Sequence, residues 1–304
     1  MDPIESLDIS KDTTCSLILE GLRRGYAISI FYDKDVFIHN GNISCNMRSI
    51  AIVKDEIKIK CIQKELVSSY DILLMRKDPP FDMRFTTVTA TLAMIESELI
   101  AINTPSGILS FPEKLWPATF KQFHPPTLVS ANREDLLDFK REHGAIVLKP
   151  LYEFCGSGVY ISFPNDRNFN SVLDIHLNKD GLPIVAQKYL PNAKNGDRRI
   201  IMLGGVAVGA LNRTAKPNDH RCNMFVGGAA SIHDLSDVEK SLCETIGPWL
   251  VERGLHFVGI DVIDNYITEI NTTSPTGLTK FRDLGGADLA IYFWEYAVGL
   301  LNAS

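Results

Sequence analysis

From Gly259 to Asn271 the chain reads Gly-Ile-Asp-Val-Ile-Asp-Asn-Tyr-Ile-Thr-Glu-Ile-Asn, and oxygen-bearing side chains recur there at spacings a β-hairpin can use. Successive strand residues face opposite sides, so Glu269 and Asn271 project from one face while Thr268 and Ile270 project from the other. Asp261 joins them if the connection holds three residues, Asp264 to Tyr266, because that register sets it opposite Glu269; a two-residue turn sends it to the other face. Carboxylates with an amide oxygen are the hard ligands Mg²⁺ prefers, with Mn²⁺ as an alternative, and such sites hold the metal jointly with substrate phosphates. A solvated edge hairpin is the competing reading of the same residues.

Positive charge stands close by in sequence. Arg198, Arg199, Arg213 and Arg221 lie on or between stretches that read as strands, and guanidinium groups pair with phosphate and carboxylate oxygens. Only some can be functional, and Arg199 and Arg213 stand out because each sits beside apolar strand residues. Lys149 ends the apolar run Ala145 to Leu148 and Lys114 follows Pro112, so either could set a point charge on a phosphate; a solvated strand end is the plainer reading. Gly156 and Gly158, around Ser157, could bring backbone N–H groups to an anion, although a lone Gly-x-Gly is weak support. Arg76 follows a predicted strand, where ligands of open α/β sheets bind, and could hold a substrate carboxylate; the alternative is a rigid Pro-Pro loop with a surface ion pair. The seven His residues are dispersed and the six Cys residues have no paired spacing, which argues against side-chain nucleophiles, zinc sites and redox dithiols.

The elements that must position these groups alternate in an α/β pattern. Helical spacing predicts helices over Asp12 to Arg24, Phe85 to Leu99, Asn132 to Gly144, Ser236 to Arg253 and Ala287 to Leu301. Strands are predicted at Ala27 to Tyr32, Asp71 to Met75, Leu99 to Ile102, Ala145 to Leu148, Ile184 to Tyr189, Arg199 to Leu203, Val206 to Leu211, Phe257 to Ile263 and Tyr266 to Asn271. Asn40-Gly41 marks a tight hairpin turn between Val36 to Ile38 and the strand from Ile43. The expected organisation is an N-terminal open-sheet α/β domain over 1–111, a central lobe over 112–190 and a C-terminal lobe over 191–304, with a flexible loop from Thr214 to Gly228. With 304 residues, 45% of them apolar, the chain can bury at least one large core. The net charge of −6 is spread along the sequence, which disfavours nucleic acid as a partner. No stretch approaches the roughly 18 to 20 apolar residues of a membrane span, and the start lacks a signal-peptide pattern, so a cytoplasmic location is expected.

Met1-Asp2-Pro3-Ile4, Leu74 to Asp82 (Leu-Met-Arg-Lys-Asp-Pro-Pro-Phe-Asp), Asn103 to Ser106, Leu148 to Leu151, Ala186 to Pro191 and Glu269 to Thr276 (Glu-Ile-Asn-Thr-Thr-Ser-Pro-Thr) together resemble bacterial glutathione synthetases, in that family's order and over nearly the whole chain. The resemblance implies an ATP-grasp fold and an ATP-dependent joining of γ-glutamylcysteine and glycine through an acyl phosphate. It further implies that Lys114 and Lys149 contact phosphates, and that Gln187, Lys188, Tyr189 and Leu190 border the adenine with Asp197 nearby. Asp261, Glu269 and Asn271 then match the magnesium ligands, Arg199 and Arg213 the arginines at the reacting phosphoryl group, and Arg221 and Asn223 a loop near the substrates. Gly227 and Gly228 match glycines in that same region, and a homotetramer is the expected assembly.

There are two departures from the family pattern. Tyr152 to Gly158 replaces the usual loop of an Asp and several glycines, and Glu153 is expected to add negative charge near the nucleotide. The family also carries an apolar strand just before Met-Asp-Pro-Ile, so either the start lies elsewhere or the first sheet lacks a strand and has unpaired edges. The alternatives to glutathione synthesis are an ATP-grasp ligase for another carboxylate and amine, and a catalytically weak nucleotide-binding homologue.

Overall fold

The frame of the site is a sheet whose strands alternate apolar side chains between two covered faces. The computed structural model describes residues 1–54, 56–216 and 228–303. In it five antiparallel strands run in the order Ala229–Ile232, Val206–Thr214, Asp197–Leu203, Phe257–Ile263 and Tyr266–Asn271. Ile200, Met202, Val258, Ile260 and Val262 pack with Leu242, Ile246 and Leu250 of the helix Asp237–Glu252. Ile201, Leu203, Leu211 and Phe257 pack in a second cluster with Leu278, Phe281, Leu289 and Phe293, from the helices Leu278–Asp283 and Leu289–Ala303. Each fully buried aliphatic or Phe side chain contributes about 1.5–3 kcal/mol, so a sheet covered on both faces is a stiff platform.

On the second face the apolar run stops partway along the strands. Counting by twos from Leu203 through Ile201 leads to Arg199 and Asp197, from Leu211 to Arg213, and from Phe257 through Gly259 to Asp261. One half of this face is therefore core and the other half polar. The opposite face is apolar at Ile200, Met202, Val258, Ile260 and Val262 and turns polar at the cross-strand pair Arg198 and Asn212, where Arg198 pairs with Glu239 at 3.2 Å. Glu239 also closes the N-terminus of its helix, where the Ser236 hydroxyl and the Glu239 carboxylate cap each other's backbone N–H groups.

Residues 127–188 form a second antiparallel sheet in the order Thr127–Ser130, Ile184–Lys188, Ile146–Pro150, Tyr160–Ser162. Ile146, Leu148, Ile184 and Ala186 bury one face with Leu136, Phe169 and Leu173 from the helices Arg133–His143 and Phe169–Asp180. By alternation, Val147, Lys149 and Gln187 look the other way. The helix Arg133–His143 starts where Asn132 accepts the Glu134 N–H and stops at Gly144, as the sequence predicts.

Toward the N-terminus, the strand Asn42–Val53 pairs with Ser29–Ile30, Val36–His39 and Glu56–Leu66. Asn40 and Gly41 form the expected turn, both at positive φ. The strand Glu56–Leu66 is not anticipated by the sequence reading; its side chains are almost all exposed, so no buried face imprints a pattern on it. Ile72–Leu74 pairs in parallel with Ile100–Ile102. Among the described residues no strand lies on its other edge, which borders a cavity of ≈ 490 Å³ lined by Met1, Ile28, Phe31, Tyr70 and Trp294.

Candidate functional site

The polar half of the C-terminal sheet and the outward face of the central sheet enclose a cavity of ≈ 250 Å³. From the C-terminal sheet come Asp197, Arg199, Arg213, Asp261, Glu269 and Asn271. The central sheet and the segment after it supply Lys149, Gln187, Lys188, Tyr189 and Leu190, and the loop after Lys149 supplies Phe154, Cys155 and Gly156.

Asp261 is the hub of the sheet side. Its Oδ1 accepts from Arg199 Nε at 2.6 Å and pairs with Arg213 Nη2 at 3.0 Å, and its Oδ2 accepts from Arg199 Nη2 at 3.1 Å. Arg213 also forms a two-bond fork with Asp197, both contacts 2.7 Å. Asp261, Arg199 and Arg213 are 6%, 6% and 3% exposed, so these charges interact through little solvent. Burial alone would raise Asp261, but the two guanidinium groups outweigh it and hold the carboxyl down at about 2. Burial, and then the Asp261 charge, push Asp197 upward against the pull of Arg213. Gly259 permits this packing, because a Cβ there would lie 2.9 Å from Arg199 Nη1.

Asp261 faces Glu269 across the hairpin and Gly259 faces Asn271, but not by the expected connection. The turn holds two residues, Asp264 and Asn265, both at positive φ, and pairs Ile263 with Tyr266. An irregularity past Val262 and Ile267 leaves Thr268 as an extra residue, which restores Asp261 to the face of Glu269. The Thr268 hydroxyl donates to the Asp261 carbonyl at 3.2 Å. A bulge thus does what the sequence reading assigned to a three-residue connection.

The hairpin gathers oxygen-bearing side chains of the kind a divalent cation takes. Asn271 Nδ2 is turned to the Gly259 carbonyl and to Asp261 Oδ2, at 3.2 and 3.3 Å. Its amide oxygen is thereby left for a ligand, beside the Asp261 and Glu269 carboxylates. Among the described residues no three His, Cys, Asp or Glu side chains cluster as a metal site; two carboxylates and an amide need substrate oxygens to complete a shell.

On the facing wall, Lys149 Nζ donates to Gln187 Oε1 at 2.8 Å and reaches the Thr268 carbonyl at 3.5 Å. Burial lowers Lys149 from 10.5 to about 8, with Glu269 opposing the shift. A Lys lowered in the folded state costs stability below its folded pKa, and the cost disappears as pH rises from about 8 through 10.5. Lys149→Met should therefore raise the unfolding free energy at pH 7 by about 1–3 kcal/mol, a gain that shrinks above pH 8, while weakening nucleotide binding. Urea titrations at pH 7 and 10 with calorimetry of ATP binding check this; unchanged stability at pH 7 together with undiminished ATP affinity contradicts it. Wild-type affinity for ATP should fall above pH 8 as the ammonium discharges.

Several expected residues sit elsewhere than the wall of this cavity. Lys114 is buried behind it, pairing with Glu269 at 3.4 Å and donating to the carbonyls of Leu151 and Glu153. Arg76 is also buried, its Nε donating to Thr14 Oγ1 at 3.1 Å and its Nη1 to the Pro275 carbonyl at 2.9 Å, so it holds a loop where a substrate carboxylate was expected. Asp78, two residues on, does line the cavity. Gly158 packs against Pro150, where a Cβ would come within 2.8 Å, and only Gly156 of the pair borders the cavity. Glu153 lines a neighbouring crevice with Tyr152 and Phe81 and is not among the residues lining this cavity. Arg221, Asn223 and Gly227 lie outside the described residues. Glu113, Ser274 and Thr276 also line the cavity and were not anticipated; Ser274 and Thr276 lie inside a quoted motif without a charge to single them out, and Glu113 stands outside every quoted motif, beside Lys114.

A family model described as the prokaryotic glutathione synthetase ATP-grasp domain matches residues 113–286, and one for the N-terminal domain of the same enzymes matches 1–108. The chain belongs to the prokaryotic glutathione synthetase family. It is 41% identical to a glutathione synthetase of Rhodopseudomonas palustris over 298 residues, covering 97% of this chain and 95% of that one. Similarity to a Synechocystis glutathione synthetase is 34% over 302 residues, covering 95% and 94%. Among solved structures, a D-cycloserine synthetase shares the fold with a TM-score of 0.61 at 16% identity, covering 77% of this chain and 85% of that one. A D-alanine–D-alanine ligase of Bacillus anthracis complexed with ATP does so with 0.55 at 15%, covering 77% and 81%. Family membership makes the chain an ATP-dependent carboxylate–amine ligase of mixed α/β ATP-grasp architecture, which uses ATP and a divalent metal ion. Among the described residues no helix is long and apolar enough to cross a membrane.

Proposed function

We propose that this cavity joins γ-glutamylcysteine to glycine at the expense of ATP, giving glutathione, ADP and phosphate. The observation that carries the reading is the meeting, around one cavity, of a lysine wall with a floor of two arginines, three carboxylates and an amide. We assign lobes 1–111, 112–190 and 191–304, with the nucleotide between the second and third.

In this reading Gln187, Lys188, Tyr189 and Leu190 border the adenine and Lys149 meets the phosphates, backed by the backbone of the loop around Gly156. Asp261, Glu269 and Asn271 would hold Mg²⁺, which supplies charge neutralisation along the phosphate chain. A C-terminal carboxylate oxygen of γ-glutamylcysteine attacks the γ-phosphorus, the bond to ADP breaks, and ADP departs with the electron pair. Arg199 and Arg213, fixed by Asp261 and Asp197, lie where charge grows on the transferred group and need little reorganisation to stabilise it. The glycine nitrogen then attacks the acyl carbon, phosphate leaves with the carbon–oxygen bonding pair, and the nitrogen gives up a proton to solvent.

Purified protein with Mg²⁺ and ATP should release phosphate in step with glutathione only when both γ-glutamylcysteine and glycine are present. Phosphate release with another amine but not glycine would reassign the acceptor, and tight ATP binding with no release under any pairing would overturn the reading.

A further inference from the structure

The loop that follows the metal-binding strand is held from several directions, and one of its holders has no role so far. Residues 272–277 connect Tyr266–Asn271 to the helix Leu278–Asp283, and their Ser274 and Thr276 line the cavity. The Thr272 carbonyl accepts from Asn103 Nδ2 at 2.6 Å, the Pro275 carbonyl from Arg76, the Thr276 carbonyl from Arg199 Nη1 at 3.4 Å, and the Gly277 N–H donates to Thr13 Oγ1 at 3.2 Å. Ser274 donates to the Asp78 carboxylate, and the last grip is Glu113. Its Oε1 accepts from the Thr272 N–H at 2.7 Å, the Thr273 N–H at 2.9 Å and the Thr273 hydroxyl at 2.8 Å. Its carbonyl accepts from the Ile270 N–H at 3.0 Å, tying the same residue to the strand itself.

Three donors on one oxygen fix a loop in position and orientation more firmly than scattered single bonds do, because each removes a different degree of freedom. Glu113 also stands beside Lys114, which pairs with Glu269 and holds the carbonyls of Leu151 and Glu153. Two consecutive residues thus link the metal strand, the loop after it and the loop of the central lobe. No bond of Glu113 in this set reaches the Gln187 to Leu190 wall, so its influence is directed at the side of the cavity away from the adenine.

We propose that Glu113 is a positioning residue for the peptide substrate: through Oε1 it sets Thr272 and Thr273 so that Ser274 and Thr276 face the carboxylate to be activated. This rests on the ligase reading above. The requirement is for a well-placed acceptor oxygen, so Gln can replace Glu while Asp, shorter by about 1.5 Å, cannot.

Glu113→Gln should keep kcat/KM for γ-glutamylcysteine within about threefold of wild type, whereas Glu113→Asp should lose about a hundredfold, with a raised KM for the peptide. The Kd for ATP and Mg²⁺, measured by calorimetry, should stay within about twofold in both, since the loop does not hold the adenine. Amide hydrogen exchange in the peptide spanning residues 270–277 should speed up in the Asp variant and not in the Gln variant. The reverse order, equal rates in the two variants, or a loss that follows ATP affinity would overturn the proposal. If Glu113→Asp does not fold, Thr273→Val removes one donor and should cost about threefold in kcat/KM and loosen the same peptide; wild-type behaviour in both readouts overturns it. The exchange measurement needs no turnover, so an inactive wild type would refute the ligase reading and still decide the role of Glu113.

Discussion

Asp261→Asn should lower the unfolding free energy by about 3–5 kcal/mol and remove ligase activity in the same step. In the native protein this carboxylate balances two guanidinium groups that are 6% and 3% exposed. An amide keeps the shape but not the charge, leaving Arg199 without its carboxylate and Arg213 with Asp197 alone. Desolvation of the arginines is then uncompensated. Because Asp261 is held near 2 against an ordinary 3.8, its contribution is fully present above about pH 4 and is lost as pH falls through 2. The stability gap between wild type and variant should therefore close in acid, as denaturant titrations at pH 7 and pH 2.5 would reveal. A gap that persists or widens in acid would contradict the charge-hub account.

Glu269→Gln should behave differently: turnover falls by at least about a hundredfold while stability moves by no more than about 1 kcal/mol. Glu269 is 24% exposed at its side chain, and its ionic partner is Lys114 at 3.4 Å. Lys114 keeps two carbonyl acceptors when that charge is removed. What the variant loses is the charge of a proposed metal ligand beside Asp261 and Asn271. Weakened Mg²⁺-dependent binding of ATP, with an unchanged midpoint in urea, is the expected signature. Phosphate release at the wild-type rate would take Glu269 out of the site.

The contrast between these two neighbours shows where the sequence is informative. Period-two alternation separates Arg198 from Arg199, and the structure sends the first to Glu239 on the helix side and the second to Asp261 in the cavity. Which of the two faces holds the chemistry is not in the alternation, because it depends on where the helices Leu278–Asp283 and Leu289–Ala303 stop covering the sheet. The Asp261–Glu269 pairing was reachable only through an assumed three-residue connection. The protein reaches it through a two-residue turn and an extra residue at Thr268, a choice set by strand twist and by a hydroxyl-to-carbonyl bond. Helices with sharp caps, such as the one after Ser236, were legible to within a residue. The exposed strand Glu56–Leu66 was not, since solvent on both sides imposes no hydrophobic period.

Arg76 and Lys114 show a further limit. Arg76 was expected at a substrate carboxylate because it follows a predicted strand, and Lys114 at a phosphate because of its place after Pro112 and the family resemblance. Both are instead buried and committed to backbone carbonyls, Arg76 to Pro275 and Lys114 to Leu151 and Glu153. Charged donors can serve loops as well as ligands, and only the three-dimensional partners tell the two uses apart.

The reaction assigned to the cavity requires that the peptide carboxylate, and not water, receive the phosphoryl group. The most direct measurement uses γ-glutamylcysteine carrying ¹⁸O in its C-terminal carboxylate, with ATP, Mg²⁺ and glycine, followed by mass analysis of the inorganic phosphate. Transfer of one labelled oxygen to phosphate for each glutathione formed is the predicted result. Unlabelled phosphate accompanying glutathione would mean that the carboxylate is never phosphorylated, and the proposed chemistry of Arg199, Arg213 and the hairpin oxygens would be wrong.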